Sequence, residues 1–265
     1  MSNILHILNG DATLHGFEQT GLDGDVLVWR EVLSQGPLAE DISSAAFWQH
    51  RSAWICKAFS ETPDGYQTRV IKPLEILSRD YAEINLWFEF DLHCQVNMLG
   101  VIMLLNRQTD LTERAIYLIC PDTFPGKDNF KGMGELNGEE LTYLYDNIRV
   151  QLSEYDFELA AEAWGIYTAN DAGRLQEWLN NTSFWGSLHI LKAAMQAQLK
   201  RLQLNKQGLN YIHQKLLDIY NSGAHKRADM YTTFWATEKI YGMGDSEIDI
   251  YLQQLTNRGL IDLKD

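Results

Sequence analysis

Side chains able to do acid–base or metal chemistry recur at one kind of position in this chain, just past a short apolar run. Asn9-Gly10-Asp11 follows residues 4–8, and Arg30-Glu31 follows Asp25–Trp29. Glu89 and Asp91 close the run at 84–90, and Asp122 follows the run at 115–120. Glu89 and Asp91 are two residues apart, so on a strand they point to the same face. Two carboxylates on one face raise each other's pKa unless a cation lies between them. Arg30, or a bound Mg²⁺ or Mn²⁺ with its preference for hard oxygen ligands, suits that place. Asp11, Glu31, Glu89 and Asp91 are therefore the candidate catalytic residues, and Asp11, Glu89 and Asp91 the candidate metal ligands. Arg30 is placed to clamp an anionic group with Glu31 orienting it, and Asn9 and Gly10 to offer close polar contacts. The competing explanation is local: Asp and Asn suit the turns that follow strands.

The elements that must position these groups alternate in type. Apolar runs at 4–8, 25–29, 84–90 and 115–120 read as strands, with turn signals at Asn9-Gly10-Asp11 and Asp23-Gly24. Residues 43–60 read as a helix, since Phe47 and Trp54, and Trp48 and Ile55, recur seven apart; residues 92–105 form a second helical stretch. Strands alternating with helices predict a mainly parallel, Rossmann-like sheet, in which ligands bind beyond the carboxyl ends of the strands. This α/β domain is assigned to residues 1–136. Residues 121–138, with two prolines and four glycines, form an 18-residue connection of the length usually kept for lids, binding loops or linkers. Its Lys127 suits an anionic ligand.

Residues 137–265 read as an all-α domain. Asn137-Gly138-Glu139-Glu140 resembles a capping box, and helical spacing follows at 153–167, 171–179, 184–202 and 208–220. From about residue 208 the order becomes winged-helix-like: helix, turn, an amphipathic helix from Asp245 with Ile248, Tyr251, Leu252 and Leu255, then a short strand at 260–263. The helix that would read DNA carries Asp245, Glu247 and Asp249 and no basic residue before Arg258, so it repels phosphate.

Charge supports that exclusion. The formal net charge is −14, and residues 1–150 hold 22 acidic against 11 basic side chains while residues 151–265 hold 14 against 11. Nucleic acid and anionic membrane are disfavoured as partners. No apolar run reaches the ~20 residues that span a bilayer, and the opening MSNILHILNGD lacks the features of a signal peptide. Three cysteines without a C-x-x-C pair point to a reducing, cytoplasmic setting. Ser34-Gln35-Gly36-Pro37 is not a nucleophile elbow. His93 and Cys94 are adjacent, but a catalytic pair must meet in space, and Cys94 reads as a packing residue.

The segments His6-Ile7-Leu8-Asn9-Gly10-Asp11, Asp25-Val26-Leu27-Val28-Trp29-Arg30-Glu31 with Gly36-Pro37, and Trp87-Phe88-Glu89-Phe90-Asp91-Leu92 with Gln95 together resemble the bacterial family called domain of unknown function 1835. Gly132-Met133-Gly134-Glu135-Leu136 and Met243-Gly244-Asp245 resemble segments of its longer members. The resemblance implies a bacterial protein with an N-terminal α/β module and a helical C-terminal region. It also adds Gln95 to the candidate ligand-binding residues. Phe90 stands where many relatives carry a histidine, so no histidine-dependent mechanism is expected at that position.

The leading expectation is an enzyme, a metal-assisted hydrolase or transferase, acting on a phosphorylated or nucleotide-like molecule at the strand ends. The alternative is a non-catalytic ligand sensor whose helical half contacts a protein partner or another copy of the chain.

Overall fold

In the computed structural model, described for residues 3–108 and 114–263, an α/β layer is followed by a run of helices. The first half contains β1 (Ile4–Asn9), α1 (Leu14–Phe17), β2 (Asp25–Trp29), α2 (Ala45–Ala58), α3 (Pro63–Tyr66), β3 (Glu83–Trp87), α4 (Leu92–Gln108) and β4 (Ala115–Ile119). Then come α5 (Gly138–Asn147), β5 (Val150–Gln151), α6 (Glu154–Ala169), α7 (Ala172–Asn181) and α8 (Leu191–Leu202). The chain closes with α9 (Tyr211–Asn221), α10 (Arg227–Thr237) and α11 (Asp245–Asn257).

The sheet order is β2-β1-β3-β4-β5, with the first four strands parallel and β5 antiparallel to β4. Strand alternation separates two cores. Leu5, Ile7, Ile84, Leu86, Ile116 and Leu118 face α4, whereas Leu8, Trp87 and Ile119 face Phe17, Leu141 and Leu144. α5 and β5 lie beyond residue 136 yet belong to this sheet layer. Helix α4 is apolar nearly all round because it is covered twice, by the sheet on one side and by α6 and α8 on the other. No helix among the described residues is long and apolar enough to cross a membrane.

Several sequence-based expectations need correction. β3 ends at Trp87, not at residue 90, although Phe88 N–H still donates to Ile119 O at 3.2 Å. The expected helix at 184–202 is a 3-10 turn at Gly186–Leu188 followed by α8. The strand expected at 260–263 is irregular, which removes the wing from the winged-helix cadence. Glu247, in the first turn of α11, is turned inward at 6% exposure, while Asp245 and Ser246 stay exposed.

Candidate functional site

The strand order reverses at β1, whose neighbours are β2 and β3, so the crevice beyond the carboxyl ends of β1 and β3 is where such a sheet accepts a ligand. β1 delivers Asn9 to that crevice. β3 runs out through Phe88-Glu89-Phe90 into Asp91, which starts α4. Asp91 is a helix cap: its Oδ1 accepts from Cys94 N–H at 2.9 Å and its backbone carbonyl from Gln95 N–H at 2.9 Å. Glu89 is held by the 121–138 connection, whose Met133 N–H donates to Glu89 Oε1 at 2.6 Å. Gln95 closes the turn by donating to Glu89 O at 2.7 Å.

Two glycines press directly on the two carboxylates. Gly132 has φ +146° and Gly242 φ +60°, and a β-carbon would overlap Glu89 at the first and Asp91 at the second. Both conformations favour glycine on their own account. The carboxylates are thus walled by backbone from the long connection on one side and from the α10–α11 connection on the other.

Behind Asp91 lies a buried polar array. Asn9 donates its amide to Cys94 Sγ at 2.9 Å, and Asn97 donates to Asn9 Oδ1 at 3.0 Å. Asn97 Oδ1 accepts from Leu33 N–H at 3.0 Å, so its amide nitrogen is the group that faces His93 Nε2 at 3.2 Å. Ser34 Oγ donates to Glu247 Oε1 at 3.1 Å and lies 3.1 Å from His93 Nδ1, an arrangement that in the neutral ring is satisfied by a proton on Nδ1. Glu247 Oε2 also accepts from Gly244 N–H at 3.0 Å. One connected network therefore runs from β1 through α4 to α11.

The electrostatics follow from this crowding. Burial first, then the Asp91 charge, pushes the Glu89 carboxyl up to about 7. Burial raises Asp91 as well, against the pull of His93 and the Cys94 N–H. For His93, burial opposes the charged ring, but Glu247, Asp91 and Glu89 together outweigh it and raise its pKa. Glu247 is also opposed by burial, and His93, Gly244 N–H and Ser34 bring it below the usual carboxylate value. Burial holds the Cys94 thiol protonated, well above the ordinary thiol range.

The candidate residues sort into separate groups. Asn9, Glu89, Asp91 and Gln95 meet around the start of α4. Gly10, with φ +86°, makes the turn out of β1 and donates to Trp29 O at 2.9 Å. Asp11 and Arg30 pair with each other at the surface, Nε to Oδ2 at 2.9 Å and Nη2 to Oδ1 at 2.7 Å. That hydrogen bond with Arg30 lowers the Asp11 pKa and raises that of Arg30. Glu31 is 2% exposed and joined to Arg51 of α2, whose Nε donates to Oε1 at 2.6 Å. Arg51 also donates to Val32 O, Gln35 O and Pro37 O, so this pair fastens the 31–37 segment. Lys127 pairs with Glu140 at 3.1 Å and lies over the Phe124 ring.

Among the described residues, the one group of potential metal donors within 4.8 Å of one another is Glu89, Asp91 and Cys94; Asp11 is not in it, being engaged by Arg30. Sequence reasoning weighed His93-Cys94 and the Ser34 segment and set them aside, and it left Glu247, Gly132 and Gly242 out of the candidate site. The visible signal was the His93-Cys94 step next to Asp91. Glu247 had none, because its contact with Ser34 spans 213 residues.

Beside Asp91 opens a cleft of about 450 Å³, lined by Phe90, Asp91, Lys131, Trp235, Lys239 and Gly242 among others. Neither Lys131 nor Lys239 forms an ion pair among the described residues, and both are exposed. No family model matches the chain, and no curated protein matches it.

Proposed function

We propose that the protein is an enzyme that takes a phosphorylated or nucleotide-like small molecule into the cleft beside Asp91 and uses the Glu89–Asp91 pair as its acid–base group. The observation that carries this reading is the juxtaposition of two carboxyls, Asp91 raised by burial and Glu89 by burial and the Asp91 charge, with a cleft that Asp91 lines and that bears an exposed Trp235 and two lysines without ion-pair partners among the described residues. Lys131 and Lys239 would hold the anionic group, and Trp235 and Phe90 offer flat apolar surface to a ring. Near neutral pH the pair retains a proton that can pass to a leaving oxygen, and its ionised form can take one from an attacking water. His93, with its raised pKa and its link through Ser34 to Glu247, supports the charge state of Asp91 from behind.

Among the described residues the backbone donors engage Glu89 Oε1 and Asp91 Oδ1, and none engages Glu89 Oε2 or Asp91 Oδ2. These two oxygens fit Mg²⁺ or Mn²⁺, which is commonly held by one or two carboxylates, waters and the phosphates of a substrate, and supplies Lewis-acid stabilisation of the reacting phosphate. The protonated Cys94 thiol, a soft donor engaged by Asn9, does not suit those ions. Arg30 and Asp11, closed on each other, serve the reading only as the rim of β1.

The resemblance to the domain of unknown function 1835 family and a bacterial, cytoplasmic setting belong to the same proposal, supported by the motifs and by three free cysteines. The ligand-sensing alternative draws on one feature, the Ser34–Glu247 bond joining the helical half to the α/β half.

The test is isothermal titration of the intact chain with a panel of nucleotides and sugar phosphates, with and without Mg²⁺ or Mn²⁺. Saturable binding that is lost in Lys131→Ala/Lys239→Ala, with turnover lost in Asp91→Asn, supports the enzyme. Binding without turnover of any bound compound favours the sensor, and no binding by any member removes both.

A further inference from the structure

On the far side of Ser34 from the Glu89–Asp91 pair lies a second cavity, of about 370 Å³, between the 34–38 segment and helices α6, α8 and α11. Its walls are polar and include Ser34, Gln35, Tyr167, Thr168, Gln198 and Arg201. Arg201 donates from Nη1 to Ser34 O at 2.6 Å and from Nη2 to Tyr167 OH at 2.7 Å. Neither acceptor is a carboxylate, and Arg201 forms no ion pair among the described residues. Its Nε and the remaining Nη protons are left over, from a fork of five donors shaped for planar anions.

Two further side chains, Gln198 at 1% and Gln35 at 8% exposure, border the cavity. A guanidinium with unused donors and no ion pair among the described residues, at a polar cavity, describes the complement of a small molecule carrying an anionic oxygen group.

We propose that this cavity is a second ligand site, for a small carboxylate or phosphate that pairs with Arg201. The site is separate from the cleft beside Asp91, and Ser34, which lines it, also belongs to the polar network behind Asp91. The Ser34 carbonyl receives Arg201, while its hydroxyl donates to Glu247 and contacts His93. A ligand that draws Arg201 away from the Ser34 carbonyl therefore acts on the residue that also holds the His93–Glu247 pair.

The test is a heteronuclear NMR titration of the intact chain with inorganic phosphate and, separately, with L-glutamate, following the Arg201 Nε–H and the Gln35 and Gln198 amide protons. Saturable shifts of those three groups by either probe are expected, and which probe binds tighter identifies the anion class. Arg201→Lys keeps the charge and loses the fork, so binding should weaken about tenfold. Should that variant fold poorly, Thr168→Trp fills the cavity from a partly exposed position and should abolish the shifts while leaving Arg201 in place. Asp91→Asn should leave them unchanged, which separates this site from the cleft. Absence of saturable shifts with both probes at millimolar concentration, or shifts that survive Thr168→Trp, overturns the proposal.

Discussion

Glu89→Gln should make the protein more stable in mild alkali and leave it little changed in mild acid. In the fold the Glu89 carboxyl stands at about 7 against an ordinary 4.5, because burial and then Asp91 oppose its charge. Between those values the native state keeps a proton that the unfolded chain has released, so stability falls as pH rises, and the full cost is present above about 7. At 1.36 kcal/mol per unit the cost is about 3 kcal/mol. Glutamine keeps an oxygen for Met133 N–H and carries no charge, so it removes that cost and little else. Urea unfolding of both proteins at about pH 5 and about pH 8.5 reads the difference, and comparing them cancels every group they share. The variant should gain up to about 3 kcal/mol over the parent between the two conditions, less whatever Asp91 recovers as the coupled partner. A stability difference that does not change with pH refutes the claim that this carboxyl is held protonated.

Other parts of the account carry their own tests. Glu31→Gln leaves the Arg51 guanidinium buried without its charge partner, so unfolding free energy should fall by about 3–5 kcal/mol. Gly242→Ala must strain a positive φ and displace Asp91; calorimetry should show a loss of about 1–3 kcal/mol, and ligand titration a loss of binding. Cys94 should stay unlabelled by a thiol reagent in native protein at mild alkaline pH, while partly exposed Cys56 reacts, as mass spectrometry of peptides would show. Mg²⁺ or Mn²⁺ should bind more weakly as pH falls below about 7 and release protons on binding, measurable by calorimetry in buffers of different ionisation heat.

The parallel strands were legible because each is a compact apolar run bounded by turn residues, and β2 at Asp25–Trp29 coincides with its sequence reading. The start of α4 at Leu92 coincides with its sequence reading, and Asp91 caps it through Cys94 N–H, whereas the apolar run to residue 90 overstated β3, which ends at Trp87. Elements without a periodic signature were invisible. β5 is two exposed residues defined only by pairing with β4, and α10 buries only Met230 and Phe234. At the site, Glu89 and Asp91 stood out through their i, i+2 spacing, although what brings them together is a cap and a loop contact rather than a strand face. Arg30 and Asp11, equally conspicuous in sequence, satisfy each other instead. Glu247 was read as a surface charge on a possible DNA-reading helix. Only the packing of α11 against the 34–38 segment turns it inward, and such long-range contacts leave no trace in local pattern.

The central claim, that Glu89 and Asp91 act as one acid–base group in a ligand cleft, is tested most directly by a carbon-13 NMR titration of their two carboxyls. It should be run on the free protein and again with Mg²⁺ and the tightest-binding member of the phosphate panel. The account predicts a Glu89 step near 7 in the free protein, with Asp91 also above the ordinary range. It predicts both steps moving to lower pH when the ligand and cation are bound. Two carboxyls that titrate near their ordinary values, or steps unmoved by ligand, would contradict it.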